Sequence, residues 1–152
     1  MLRPRAAILI AAILLTGCFP DYFPRRHLRV KLSPDDMAGH WHLGRDSARM
    51  LAHYHVAASS ADSWIDFASD GQCELHKFVS EEDVFSGKAT WTLDEERDDR
   101  SSRTTSVLQI TLQTPERPVK FSLYFTRYHH KLVLWQYHSD PDGREYIEYE
   151  SI

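Results

Sequence analysis

The feature that most limits the fold is a two-residue alternation of apolar and polar side chains, which begins after Ser63. Successive side chains of a β-strand point to opposite faces, so this alternation indicates strands with one buried face. Seven or so short, evenly spaced series with hairpin-length connections predict an antiparallel meander. A long meander tends to close, because closure removes exposed edges. We therefore expect a mainly β fold, either a small up-and-down barrel or a strongly curved meander sheet.

The alternation also predicts which side chains face the interior. Ala89, Trp91 and Leu93 share one face of an expected strand, and Trp41 and Leu43 share one face of an earlier strand. Residues 132–135 are apolar at every position, which is typical of a strand covered on both faces. The buried faces together supply an expected core: Trp41, Trp91, Leu108, Ile110, Phe121, Leu123 and Phe125.

A helical periodicity follows the first expected strand, residues 37–43. Apolar side chains recur at helical spacing between Ala48 and His55, after Asp46 or Ser47, which are both good N-cap residues. We expect one amphipathic helix from there to about residue 56. It should pack at the mouth of the barrel or on the open side of the sheet.

Several connections carry their own signals. Residues 69–72 contain Gly71, which can adopt a positive φ in a hairpin turn. Residues 81–83 and 94–102 are strongly charged and are predicted to be loops. Residues 140–143, Asp-Pro-Asp-Gly, predict a further turn.

The start of the chain has the layout of a secretory signal. Arg3 and Arg5 precede an uncharged run, residues 6–19, in which Gly17 stands directly before Cys18. As a helix, this run of 14 residues spans about 21 Å. The hydrocarbon core of a bilayer requires about 30 Å, which disfavours a transmembrane helix. A cytosolic protein with an apolar start would leave the glycine before the cysteine unexplained.

The four residues Leu15-Thr16-Gly17-Cys18 resemble the lipobox of bacterial lipoproteins. The resemblance implies that Cys18 is acylated, with palmitate among its acyl chains, and becomes the new N-terminus at a membrane of the cell envelope. Phe19 stands where an Asp would retain a lipoprotein at the inner membrane. If the host is diderm, the resemblance therefore implies the outer membrane, facing the periplasm.

The lipobox divides the chain into three predicted parts: a lipoprotein signal peptide, residues 1–17; the lipidated cysteine with a basic tether, residues 18–33; and a β domain, residues 34–152. The tether carries four bases and one acid. It could lie against anionic headgroups, at about 1 kcal/mol per base, or form a solvated linker. Acids exceed bases in the β domain, which argues against a nucleic-acid partner.

Motifs for chemistry are scarce. The chain contains no phosphate-binding glycine loop, nucleophile elbow, zincin helix or Cys-x-x-Cys, so we predict no catalytic residue and no cofactor. His40 and His42 would share a face of a strand, as a pair of metal ligands does. The alternative, favoured by the lack of a third ligand at a fixed spacing, is that the histidines lie at the surface and rim. Cys73 is expected to be a small buried hydrophobe rather than a reactive thiol.

The order of these signals resembles the lipocalin-like, or calycin-like, β-barrel domains of bacterial lipoproteins. The chain departs from true lipocalins in being shorter, in its helix after the first strand, and in lacking their paired cysteines. The segments that carry the resemblance are Gly39-His40-Trp41-His42-Leu43, the helix led by Ser47, Trp64-Ile65-Asp66-Phe67 with Asp70-Gly71, Gly87-Lys88-Ala89-Thr90-Trp91-Thr92-Leu93, and Lys131-Leu132-Val133-Leu134 before Asp140-Pro141-Asp142-Gly143.

Lipocalin relatives bind small apolar ligands inside the barrel. The resemblance therefore implies a membrane-anchored envelope lipoprotein whose barrel is a non-enzymatic binding or interaction module, for a small apolar ligand or an envelope protein. The alternative is a metal-dependent or hydrolytic envelope enzyme that uses a histidine-rich rim.

Overall fold

The computed structural model of the chain describes residues 32–98, 103–128, 130–138 and 145–152. The signal peptide, Cys18, most of the tether, His129 and the turn at residues 140–143 lie outside these ranges. Two helices and eight strands occur within them, in this order: α1 (Pro34–Met37), β1 (Gly39–Leu43), α2 (Arg45–His53), β2 (Trp64–Phe67), β3 (Gln72–Ser80), β4 (Asp83–Asp98), β5 (Arg103–Leu112), β6 (Val119–Tyr128), β7 (Lys131–Tyr137) and β8 (Tyr146–Ser151).

The eight strands form one closed antiparallel barrel in which each strand pairs with its neighbours in chain order. The first and last strands close it, with Trp41 opposite Ser151 and Leu43 opposite Tyr149. This confirms the predicted mainly β fold and decides between its two forms in favour of the barrel. Closure leaves neither β1 nor β8 with an unpaired edge.

The two helices lie at opposite ends of β1. At the end where β1 begins, which we call the near end, Met37 of α1 is buried and its carbonyl accepts a hydrogen bond from Trp41 Nε1 at 3.0 Å. At the far end, Leu51 of α2 and the following Val56 join the core. The helix after the first strand is therefore confirmed at a mouth of the barrel. It ends at His53, earlier than predicted, and His55 has a φ of 61°.

The predicted core is confirmed. All seven side chains named from the alternation are at most 5% exposed. Aromatic rings fill the centre of the barrel: Phe78 lies 5.0 Å from Phe121 and 5.3 Å from Tyr149, measured between ring centroids. Interiors of eight-stranded barrels are just wide enough for side chains to fill, and here large side chains do so.

The hairpin between β2 and β3 confirms the prediction for Gly71, whose φ is 85°. The carbonyl of Gly71 accepts a hydrogen bond from the N–H of Trp91 at 2.8 Å, which ties the turn to β4. A Cβ at this position would meet the carbonyl oxygen of Trp91 at 3.3 Å. Glycine is therefore required for both its backbone angle and its lack of a side chain.

The prediction of charged loops at residues 81–83 and 94–102 was wrong in part. Asp83 already belongs to β4, and β4 continues through residues 94–98. Asp94 pairs with Val107 and Glu96 with Thr105, so the ribbon continues while its acidic side chains stay in water. Charge on a solvated strand carries no desolvation penalty, so a high density of charge did not by itself indicate a loop.

Candidate binding surface on the outer face of β1 to β3

The register of the first three strands brings a set of outward side chains into two rows. Their neighbours along the chain, among them Trp41, Ile65 and Leu75, are buried inside the barrel. One row is His42, Trp64 and His76, and the other is His40, Asp66 and Glu74. We call these six residues the histidine–tryptophan surface.

The centre of this surface is the indole of Trp64. The ring of His76 stacks on it, with centroids 5.0 Å apart and an interplanar angle of 13°. The ring of His40 lies 5.3 Å from it at an angle of 40°. Trp64 is therefore held between two imidazoles from neighbouring strands, on the side of the sheet that faces solvent. Aromatic cross-strand pairs of this kind stabilise a sheet by roughly 0.2–1 kcal/mol each.

Asp66 fixes the orientation of His40. The distance from His40 Nδ1 to Asp66 Oδ1 is 2.7 Å. Because an ionised carboxylate only accepts hydrogen bonds, the proton of this bond belongs to Nδ1. Both side chains are substantially exposed, so the bond orients the imidazole and adds little stability to the fold.

A cleft of about 400 Å³ opens beside this surface, next to the β2–β3 hairpin. Phe67 and Cys73 are buried beneath it, and Asp66, Glu74 and Lys88 bring charge to its walls. Burial raises the pKa of the Cys73 thiol to about 12, so it stays protonated near neutral pH. Cys73 is free and buried, which confirms the expected small hydrophobe and disfavours a nucleophilic thiol.

A second cavity, of about 410 Å³, lies between α2 and the barrel wall. Both basic and acidic side chains line it, among them His42, Arg45, Arg49, Asp46 and Glu150. Arg49 Nη1 is 3.2 Å from Asp46 Oδ1. The mixed charge favours no single class of ligand.

The structure places both predicted metal candidates on one face of β1, as the spacing indicated. However, His40 bonds to Asp66, and His42 stands opposite Trp64. Across the residues that the structure describes, no group of three or more His, Cys, Asp or Glu side chains is arranged to hold a metal ion. His53, the last residue of α2, packs its ring edge-on against that of Tyr54, with centroids 5.6 Å apart.

Sequence reasoning missed the stack of Trp64 and His76, although one signal was present. In Trp64-Ile65-Asp66-Phe67, the tryptophan has the same parity as the charged Asp66 and the opposite parity to the apolar pair. A tryptophan on the polar face of a strand is a candidate for binding. Its partners across the sheet depend on register, which the alternation does not specify.

A second cluster that the sequence did not indicate joins α2 to the far end. His138 is 1% exposed, and its ring lies 4.7 Å from that of Tyr54. The Tyr54 hydroxyl donates to Glu145 Oε2 at 2.7 Å. This hydrogen bond raises the pKa of Tyr54. The cluster links the helix to β7 and to the start of β8, and we assign it to stability.

The fold and this surface define a small closed antiparallel β-barrel protein with an outward cluster of histidine and tryptophan. Comparison of the chain with protein-family models, with curated proteins and with solved structures finds no match. Within the described residues, no helix has the length and apolar character needed to cross a membrane.

Proposed function

We propose that this protein is a lipid-anchored lipoprotein of the cell envelope, whose lipocalin-like barrel is a non-enzymatic module that binds an envelope protein through the histidine–tryptophan surface. One observation carries the proposal: Trp64 lies outside the core, held between His40 and His76 and bordered by acidic side chains. Tryptophan is enriched at the energetic centres of protein interfaces. Asp66 and Glu74 would form a polar rim that favours a partner with basic groups.

The filling of the interior supports a surface role over a ligand inside the barrel. Phe78, Phe121 and Tyr149 occupy the centre with rings in contact, so a lumen ligand would have to displace them. A small apolar ligand is the second candidate, because the cleft beside the surface has Phe67 and Cys73 beneath charged walls. A pocket with an apolar base and a few polar groups is typical of small-molecule sites.

The lipocalin-like assignment is supported by the up-and-down order of eight antiparallel strands and by their closure. The helix between β1 and β2 and the filled interior separate this barrel from ligand-carrying relatives. We therefore propose a barrel with the architecture of the lipocalins that binds its partner protein on the outer surface.

Anchoring is supported by the lipobox sequence and by where the domain begins. The 13 residues between Cys18 and Leu32 span up to about 43 Å when extended, enough to hold the near end of the barrel beside a membrane. We expect Cys18→Ala to accumulate as an unlipidated precursor that leaves the membrane fraction, because the acyl acceptor is gone. Cell fractionation with intact-mass spectrometry measures this, and Cys73→Ala is the matched control. Membrane partition with an unchanged mature mass would contradict the anchor.

Partner binding is tested by Trp64→Ala in the full chain. We expect the variant to lose the protein that cross-links to the wild type in intact envelopes, because it removes the centre of the surface. Val84→Ala, which truncates an exposed apolar side chain on β4, is the matched control. The same cross-linked partner in equal yield with Trp64→Ala would contradict the proposal.

Mass spectrometry of natively purified protein separates the competing functions. A co-purifying small apolar molecule that is lost on enlarging the cleft-lining Ala68 supports the ligand candidate instead. Stoichiometric zinc that is lost in His40→Ala supports the alternative of a metal-dependent envelope enzyme.

A further inference from the structure

A row of charged side chains crosses the outer face of β1 to β4, close to the β2–β3 hairpin. The register sets Asp66 between His40 and Glu74. Glu74 in turn stands opposite Lys88 on β4. Two carboxylates are therefore neighbours at the centre of the row, on adjacent strands. Like charges directly opposite each other destabilise a sheet, so this pair indicates a role other than stabilising the barrel.

The other groups of the row only partly satisfy the two carboxylates. His40 Nδ1 bonds to Asp66 Oδ1 at 2.7 Å, a contact that uses one of the two oxygens of Asp66. Among the residues that the structure describes, Glu74 and Lys88 form no ion pair, although they stand opposite each other. The formal charges of Asp66, Glu74 and Lys88 sum to −1. One added cation would therefore balance this part of the surface.

The cleft of about 400 Å³ lies against this row, and the three charged side chains of the row other than His40 line it. Its base is formed by Phe67 and Cys73, which pair across β2 and β3 and are at most 6% exposed. Ala68 leaves room at the hairpin because its side chain is small, and its N–H donates to the carbonyl of Gln72 at 2.9 Å. The cleft thus combines an apolar base with one excess negative charge, in a volume at the low end of small-molecule sites.

A cationic group on an apolar stem fits this cleft better than other ligands do. A purely apolar ligand would take water from the two carboxylates and give them no hydrogen-bond donor in return. An anion would add a third negative charge beside them. A metal ion requires more ligands than this pair, and no group of three His, Cys, Asp or Glu side chains is suitably placed within the described part of the chain.

The arrangement of the acceptors favours an ammonium over a guanidinium. The acceptors belong to two carboxylates on neighbouring strands, whose Cβ atoms are about 5 Å apart. An ammonium has three donors and can bridge two such groups, whereas a guanidinium fork matches the two oxygens of one carboxylate. Asp66 does not offer both of its oxygens, because Oδ1 is bonded to His40. Lysine carries its ammonium on a four-carbon stem that packs well on apolar surface.

We propose that the cleft receives a lysine side chain of the partner protein, with its ammonium between Asp66 and Glu74 and its stem over Phe67 and Cys73. This inference rests on the proposed function. Trp64 and Asp66 share one face of β2 and are about 7 Å apart along the strand, so one partner would cover both. Trp64 then supplies apolar contact, and the cleft selects a partner with a lysine at the matching position.

Titration of a lysine probe into the full chain tests the site. The probe is Nα-acetyl-lysine methylamide, and the NMR shifts of the Ala68 and Glu74 amides report its binding. Two matched probes are the norleucine analogue, which has the stem without the ammonium, and n-butylammonium, which represents a free amine. We expect saturable shifts with the lysine probe and roughly tenfold weaker binding of the norleucine analogue. Glu74→Gln should weaken binding of the lysine probe roughly tenfold, whereas Glu82→Gln, the same change in an exposed turn, should leave it unaltered.

Equal binding of the norleucine analogue, or equal binding of the lysine probe by Glu74→Gln, overturns the ammonium site. Tighter binding of n-butylammonium than of the lysine probe overturns the assignment to a protein side chain, since the ligand would then be a free amine. In the cross-linking assay, Glu74→Gln should reduce the yield of the Trp64-dependent partner roughly tenfold. A partner that depends on Trp64 but not on Glu74 overturns the lysine contact and leaves the proposed function standing. A lysine probe that binds the cleft, with no Trp64-dependent partner in the envelope, contradicts the proposed function and supports the ammonium site.

Discussion

Tyr149 provides a sharp test of how the barrel interior is stabilised. Its side chain is fully buried and stacks on Phe78 with centroids 5.3 Å apart. Its hydroxyl oxygen accepts a hydrogen bond from the backbone N–H of Val79 at 2.8 Å. Tyr149→Phe keeps the ring and its stacking and removes the hydroxyl, which accepts this bond and also donates a longer one, at 3.5 Å, to the carbonyl of Val79. The carbonyl of Val79 retains the amide of Gln136 at 2.6 Å, so the substitution isolates one buried donor.

The expected loss is set by the cost of leaving that donor without a partner. A buried N–H that loses its acceptor destabilises the folded state by about 1–3 kcal/mol. For a domain of this size each kcal/mol lowers Tm by roughly 3–5 °C, so we expect a decrease of roughly 3–15 °C. Thermal unfolding followed by circular dichroism measures it. Tyr146→Phe, on the outer wall, is the control and should stay within about 0.5 kcal/mol of the wild type.

The pH dependence of Tm in the wild type and in Tyr149→Phe gives an independent check. Burial raises the pKa of Tyr149 above its ordinary value of 10.0. The folded state therefore holds the phenolic proton more tightly than the unfolded state does. This stabilisation is fully present below the unfolded pKa and is lost as pH rises above it. The gap in Tm between wild type and Tyr149→Phe should narrow above a pH of about 10. An equal Tm at neutral pH would refute the reasoning, because it would mean that Val79 N–H has another acceptor.

Two further predictions concern the near end of the barrel. Trp91→Ala removes a ring that is 4% exposed and lies 5.6 Å from that of Phe67; it should destabilise the protein by about 3–5 kcal/mol, and an unchanged melting curve would contradict the burial. Asp36 Oδ2 accepts hydrogen bonds from the N–H and hydroxyl of Ser33, each at 2.7 Å, and these lower the pKa of Asp36. The stabilisation that the ionised Asp36 side chain supplies is therefore present above pH 3.8, which is its pKa in the unfolded state. This stabilisation is lost as pH falls through the lower pKa of the folded state. Asp36→Asn should flatten this acid dependence of Tm, and an identical pH profile would contradict the bond.

Local sequence signals predicted most of the barrel because each depends on only a few neighbouring residues. The two-residue alternation indicates that Trp91 and Phe121 lie on the buried faces of their strands, whichever strands these pair with. Gly71 indicates its turn through backbone sterics alone. Closure of the barrel, in contrast, depends on residues that are far apart in the sequence. The pairing of Trp41 with Ser151 joins residues from the two ends of the domain. Alternation states which face of β1 and β8 is buried but not that their edges meet.

The histidine–tryptophan surface lay beyond prediction for a related reason. Its contacts run across strands, and a shift of one residue in register would separate Trp64 from His76. A β-bulge between Leu75 and Phe78 also changes the parity of β3 immediately after His76. The sequence thus indicated that His40 and His42 share a face. The position of Trp64 between the imidazoles of His40 and His76 could be known only from the register of the strands.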